Sequence, residues 1–409
     1  MALPTTQSAL TPAEVTQLGF VSLQNYLKNK PIDQVAQERP FLKALMSRKK
    51  TWGGGKENIV EQIRKDYDNN FMWFGDNLVT PNLSQDVTYN TRDTVRQATY
   101  PWNSAHDGFQ FSEDYLLGNG ILIGDSQSTN NSSAAGLVQL TNIFNEAMEV
   151  LRLGFEKILD QSLHLDGTHD VGGGTADPTN SVINGLDFLV PLDSTTGIVG
   201  GINRGEAGAP PPNQYWQSNF DFGRGLNVTA GGAVGYAGAA LLAPMTDMWR
   251  ACQKNGGAPT LLLCGTDFVK SYEEASIGAG AGAMSRYAVQ PGAMSAPWNF
   301  DPSREVRDMG TFTGLFFQGL PLLWDPTFDD LDGIAGAGSS NGTTTGWTKR
   351  CYMLNMNHMF LRPIEGNDMI ARKPPRQYNS YNYYWGMTWR GALTSNRMNC
   401  HGVITATGG

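Results

Sequence analysis

The densest group of chemistry-bearing side chains is His164-Leu165-Asp166-Gly167-Thr168-His169-Asp170, where two imidazoles and two carboxylates fall within one short segment. A catalytic metal needs about three protein ligands converging on one point, with a coordination position left open. The segment holds enough of them. It also stands where a long amphipathic pattern ends, and a histidine in the last turn of a helix is favoured by the helix dipole with no metal present. We read the segment as a helix end and turn, and assign no catalytic, cofactor-binding or metal-ligating residue in the chain. A metalloenzyme using His164 and His169 stands as an alternative.

Other motifs lack the spacing their chemistry requires. Gly53-Gly54-Gly55-Lys56 has neither the earlier glycine nor the following Ser or Thr of a phosphate loop. Gly118-Asn119-Gly120-Ile121-Leu122-Ile123-Gly124 is spaced wrongly for a dinucleotide fingerprint and no βαβ pattern follows it. Gly278-Ala279-Gly280-Ala281-Gly282 reads as a flexible loop. No G-x-S-x-G elbow presents a nucleophilic serine, and five histidines leave few general bases. Asp329, Asp330 and Asp332 depart from calcium-loop spacing and read as a solvated acidic turn. The chain is expected not to be an enzyme.

The four cysteines, Cys252, Cys264, Cys351 and Cys400, lie far apart with no C-x-x-C pair, so they read as free, mostly buried thiols in a reducing compartment. The 409 residues carry a net charge of −8, without the excess of Lys and Arg that a dedicated nucleic-acid binder needs to neutralise phosphates. DNA is therefore not expected as a ligand, although a weakly acidic wall is compatible with enclosing it. The opening MALPTTQSAL lacks the pattern of a signal peptide, and no apolar run approaches the roughly 20 residues of a membrane span. Low charge at 17%, with 48 glycines and ten tryptophans, leans toward surfaces that meet other surfaces.

Those features sit on elements that periodicity places. Residues 1–50 form a polar arm, with a helix start at Thr11-Pro12 and a basic end at Arg48-Lys49-Lys50. Short strand patterns follow at 70–74, 86–89 and 94–100, a long two-stranded excursion with little core of its own. Leu137, Leu140, Phe144, Met148, Leu151, Phe155 and Leu159 recur at helical spacing and predict one long helix over about 133–164, terminated near Gly167. Gly185–Val190 and Thr196–Asn203 read as short strands. A compact α/β unit follows: a helix through Met245 and Trp249, a buried strand at 260–264 and a helix at 266–275. Strands return at 313–317, 320–324, 351–356 and 384–393, ending on Val403-Ile404.

This order of parts is α+β and resembles the Hong Kong 97-type major capsid proteins of tailed bacteriophages. Arg48-Lys49-Lys50-Thr51-Trp52-Gly53-Gly54-Gly55-Lys56, Gly200-Gly201-Ile202-Asn203-Arg204 and Trp385-Gly386-Met387-Thr388-Trp389 carry the local part of the likeness. The resemblance implies an N-terminal arm (1–50), an E-loop (51–125), a P-domain with its spine helix (126–185), an A-domain with inserted loops (186–375) and C-terminal strands rejoining the P-domain (376–409). It implies a structural protein of the virion that self-assembles in the host cytoplasm into the hexamers and pentamers of an icosahedral shell around double-stranded DNA. A separate scaffolding protein, a portal and, in some members, a decoration protein would be its partners, with no membrane and no cofactor. Phe71, Trp73 and Phe74 on the E-loop are the candidate contacts with a neighbouring subunit, because large rigid apolar groups dominate interface energetics. Some members crosslink Lys to Asn, but no catalyst or partner is recognisable beside Lys56 or Lys65, and none is predicted. An encapsulin-like compartment of the same fold is the second alternative.

Overall fold

The computed structural model describes residues 37–65, 89, 91, 93–112, 114, 134–171, 175–176, 182–206, 213–228, 235–254, 256–278, 312–332, 346–372 and 382–407. In chain order the described elements begin with α1 (Pro40–Ser47), β1 (Asn58–Arg64), β2 (Val95–Pro101), β3 (Asn103–Ser112) and α2 (Ala134–His164). Two hairpin-like pairs, β4 (His169–Asp170) with β5 (Thr175–Ala176) and β6 (Ile198–Val199) with β7 (Ile202–Asn203), flank the short α3 (Leu186–Leu189). Next come β8 (Asn219–Asp221), α4 (Leu242–Lys254), β9 (Leu261–Cys264), α5 (Thr266–Gly278), β10 (Phe312–Phe317), β11 (Leu320–Trp324) and α6 (Pro326–Asp332). The chain ends with β12 (Arg350–Leu354), β13 (Met359–Pro363), β14 (Ile370–Arg372), β15 (Asn382–Ser395) and β16 (Gly402–Thr405). No described helix is long and apolar enough to cross a membrane.

Two compact units form. The first takes Met1–Gln37, Ser104–Leu159 and Gly366–Arg390. In it β3 pairs β15, and β14 pairs β15 antiparallel with Ala371 opposite Met387. Phe144 on α2 meets Trp385 edge-on at 4.4 Å and Phe109 at 5.9 Å, which joins helix to sheet. Two glycines let the strands approach: a Cβ on Gly108 would stand 2.7 Å from the Trp385 carbonyl oxygen, and one on Gly386 would stand 2.6 Å from His106.

The second unit takes Glu38–Asn103, Asp160–Glu365 and Gly391–Gly409. Its centre is a six-stranded mixed sheet in the order β10-β11-β9-β12-β16-β8. The pairs β11/β9 and β16/β8 are parallel, and β12 runs antiparallel to both β9 and β16. All four residues of β9 are buried, as a strand covered on both faces requires. On one face Leu262, Cys264, Cys351 and Met353 meet Met245, Met248 and Cys252 of α4 and Phe268 and Tyr272 of α5. On the other, Phe328 of α6 stacks on Tyr352 at 5.7 Å and meets the His164 ring at 5.1 Å, so the last turn of α2 and α6 cover the opposite side.

The long helix spans Ala134–His164 among the described residues, and Gly167 just beyond it turns the chain at φ +86°. Leu151, Phe155, Leu159 and Leu163 are buried at intervals of four, the stripe that the sequence spacing implies. Two local readings are corrected. Gly185–Val190 is one helical turn and not a strand: an apolar run this short carries no distinguishing period. Gly185 lies so close to the Leu163 and Leu165 carbonyls that a Cβ would approach within 2.5 Å. The run Pro326–Asp332 is a helix and not a solvated turn, because its aspartates are engaged: Asp329 accepts from Thr266 and the Trp324 indole N–H, and Asp332 accepts from the Trp347 backbone N–H and from Thr348. The Thr11 helix start and the strand patterns at 70–74 and 86–88 lie outside the described residues.

Candidate functional site

His164 stands at the end of α2 with its ring fully buried. Its Nδ1 faces the Asp160 carbonyl oxygen at 2.7 Å, one turn back, and its Nε2 faces Asp325 Oδ2 at 3.0 Å. A carbonyl oxygen only accepts, so Nδ1 carries a proton. Nε2 and a carboxylate oxygen then need a second positive centre between them. Asp325 sits where β11 gives way to α6, and its other oxygen accepts from the Thr327 backbone N–H at 3.1 Å. Asp160 Oδ2 accepts from the Thr327 hydroxyl at 2.6 Å, and Phe41 of α1 closes the ring's edge at 4.9 Å.

Burial alone disfavours a charged imidazole, but Asp160 and Asp325 outweigh it and hold the His164 pKa up at about 9. Burial also raises Asp160 above the ordinary carboxylate range, with His164 pulling the other way. An imidazolium answers both ring contacts. One ligand atom from each of Asp160, His164 and Asp325 lies within 4.8 Å of the others, so the same donors form a candidate cation site. Asp160 Oδ1 is buried without a hydrogen-bond partner among the described residues.

The sequence reading placed His164 with His169 and missed both aspartates. His169 stands on β4, and its side chain lies outside the described residues. Asp160 was findable, since residues four apart share a helix face. Asp325 offered no local signal, because only the fold brings it to the helix end. A second buried pair lies on the same side of the sheet. Arg350 of β12 reaches Asp187 of α3 at 3.3 Å and the Tyr352 hydroxyl at 3.2 Å, and lies 3.9 Å over the Trp347 ring.

Surfaces suited to association are visible as well. The base of the excursion is an antiparallel pair with Ile59 opposite Tyr100 and Glu61 opposite Ala98, and these inward residues pack on the chain's own second unit. Tyr100 donates to the Ser395 carbonyl at 2.7 Å, and Glu61 pairs with Arg362. The Gly200-Gly201 turn fits against Ala98, where a Cβ on Gly200 would come within 2.8 Å. The excursion is thus anchored at its base by its own subunit, which the sequence reading did not expect. Its outward side carries Val95, which is exposed; Tyr89, outside the two strands, is 88% exposed. On α2, Val150 is 60% exposed, with Leu153 and Ile158 also outside the buried stripe. Phe71, Trp73 and Phe74 lie outside the described residues.

No family model matches the sequence, and no curated protein matches it. The chain is similar to several solved structures. One is the cyanophage A-1(L) capsid asymmetric unit, at 17% identity and a TM-score of 0.49, covering 93% of this chain and 97% of that one. The capsid of Myoviridae phage XM1 shows 12% identity and a TM-score of 0.47 over 92% and 95% of the two chains. A third, from the capsid of an empty GTA particle, shows 10% identity and a TM-score of 0.47 over 92% and 100%.

Proposed function

We propose that the chain is the major capsid subunit of a tailed bacteriophage, a structural protein that builds a shell. The observation that carries the reading is the pairing of a 31-residue helix with apolar side chains left outside its buried stripe. Contiguous exposed apolar surface marks interaction sites, and Val150 and Leu153 stand three residues apart as neighbours on the exposed side of α2. The order of parts supports it. A two-stranded excursion precedes the long helix, a mixed sheet with helices follows, and the last strand, β16, returns to the interior of that sheet between β12 and β8.

In this reading the excursion is the E-loop, α2 the spine helix of the P-domain, and the six-stranded unit the core of the A-domain. Of the 376–409 segment, β15 pairs with β3, β13 and β14, whereas β16 lies in the A-domain sheet and not with the P-domain as expected. Each E-loop lies over a neighbouring subunit, with Phe71, Trp73 and Phe74 as its contacts, and closed rings of six and five copies form the lattice. Scaffolding, portal and decoration proteins act as separate partners, and the shell assembles in the host cytoplasm around DNA it does not read.

Sedimentation velocity on the purified chain tests this. The wild type is expected to form large, discrete assemblies, and Val150→Asp with Leu153→Asp to shift the distribution toward single subunits with an unchanged circular dichroism spectrum. A wild type that sediments as a monomer at every salt and protein concentration contradicts the proposal.

A further inference from the structure

A groove of about 1350 Å³ runs along the second unit between the end of β1, the 213–219 segment, the end of α4 and the turn before β16. Its charge runs against that of the chain. Arg64, Lys65, Lys254, Arg397 and the buried Arg204 line it, against the single carboxylate of Glu206 among the described lining residues, in a protein of net charge −8. Lys65 is partly answered by Asp93 at the rim, while Arg64 and Lys254 are exposed. The remaining wall is rich in neutral hydrogen-bonding groups, including Gln62, Gln217, Asn227 and Asn396.

Arg204 is the most telling of these residues. Its guanidinium is fully buried and donates to the Trp216 and Leu189 carbonyls, with no carboxylate among those bonds. With carbonyls and no carboxylate as its bonded partners, Arg204 adds a positive charge to the groove wall. Two histidines nearby are held toward their neutral forms, His358 beside Arg397 and Lys50 and His401 with a smaller contribution from Arg204. Burial lowers His358, and Arg397 and Lys50 lower it further, against the opposing bond to Asn396. Burial also lowers His401 to about 3, with His358 and Arg204 adding to the effect and a backbone bond opposing.

We infer that this groove binds the phosphodiester backbone of nucleic acid without reading sequence. The chemistry fits: Arg and Lys supply the charge that phosphates require, and amide side chains supply neutral contacts to phosphate and sugar. The global charge argues against a general nucleic-acid binder, but one strip of the surface is an exception to it. The inference rests on the capsid reading only for why DNA is at hand, and the groove is tested separately.

Fluorescence anisotropy of a mixed-sequence 20-base-pair duplex with the full chain is the test. With three phosphates neutralised, log affinity is expected to fall with log salt at a slope of about −2.7, roughly fortyfold between 50 and 200 mM. Arg64→Gln, Lys65→Gln and Lys254→Gln combined should weaken binding at least tenfold at 50 mM and flatten the slope. Lys157→Gln with Lys270→Gln, outside the groove, should change neither. Should the triple variant misfold, Lys254→Gln alone, at an exposed helix end, should still lower the slope by about one. Bound DNA should also raise the His358 pKa, followed by the imidazole proton resonances. A wild type without salt-dependent binding, or a triple variant that binds like the wild type, overturns the inference. Tighter binding of polyglutamate than of DNA overturns it in favour of an acidic polypeptide. Failure to form particles would bear on the capsid reading alone, and well-formed particles from a chain that ignores DNA would refute the groove alone.

Discussion

On one face of the six-stranded sheet, Met245, Met248, Cys252, Phe268 and Tyr272 close over Leu262, Cys264 and Met353 in an almost wholly apolar layer. The opposite face is as deeply buried, yet it encloses His164 with Asp160 and Asp325, and Arg350 with Asp187. Apolar contacts are non-directional, so the first face fixes that the helices pack but tolerates small changes in how they do so. The second face has partners that function only at hydrogen-bond distance. It fixes where the end of α2, the β11–α6 junction and α1 meet. Under the proposed shell role, that definition at the joints is what presenting identical surfaces to several neighbours requires. Buried ionic groups specify geometry at some cost in stability.

The largest expected effect comes from breaking the polar face. His164→Leu removes the cation and leaves two buried carboxylates, and should cost about 4 kcal/mol in urea unfolding of the unassembled chain at pH 7. Its stability should partly recover as pH falls and Asp160, raised by burial, protonates. A loss that is independent of pH would show that the ring acts only as packing.

On the apolar face, Met353→Ala should cost about 3 kcal/mol, through lost transfer energy and the cavity left behind, equally at all pH values. A pH-dependent loss there would erase the distinction between the faces.

The wild type itself should be more stable on the acid side. The His164 pKa is raised from 6.5 to about 9, so its contribution is complete below the unfolded value and disappears as pH rises through the folded one. The shift of Asp160 has the same sign, because a raised carboxylate favours the protonated form of the folded state. Stability should therefore decline by roughly 3 kcal/mol at most between pH 6.5 and 9.5, and His164→Leu should lack that decline.

The smallest effect concerns the base of the excursion. Tyr100→Phe, which removes the donor to the Ser395 carbonyl, should cost about 1 kcal/mol and leave assembly intact.

Much of the apolar face was legible in the sequence and almost none of the polar one. Met245 and Trp249 announce their helix by spacing, and Leu261-Leu262-Leu263 announces a strand by being continuously apolar. Both signals are local. The partnership of His164 with Asp325 depends on a sheet that brings distant segments together, and Asp325-Pro326 reads like any turn until α6 is seen to begin there. Leu186–Leu189 failed for a related reason: four residues carry too little period to separate a helical turn from a strand. The proposed association surfaces divide in the same way. Aromatic residues at 71–74 stood out by type, whereas Val150 and Leu153 were hidden within a helical pattern whose inner stripe accounted for the rest.

Negative-stain electron microscopy of the purified full-length chain tests the central claim most directly. Closed rings or shells of uniform diameter are the predicted result, and a field of monodisperse single subunits under every assembly condition would contradict it.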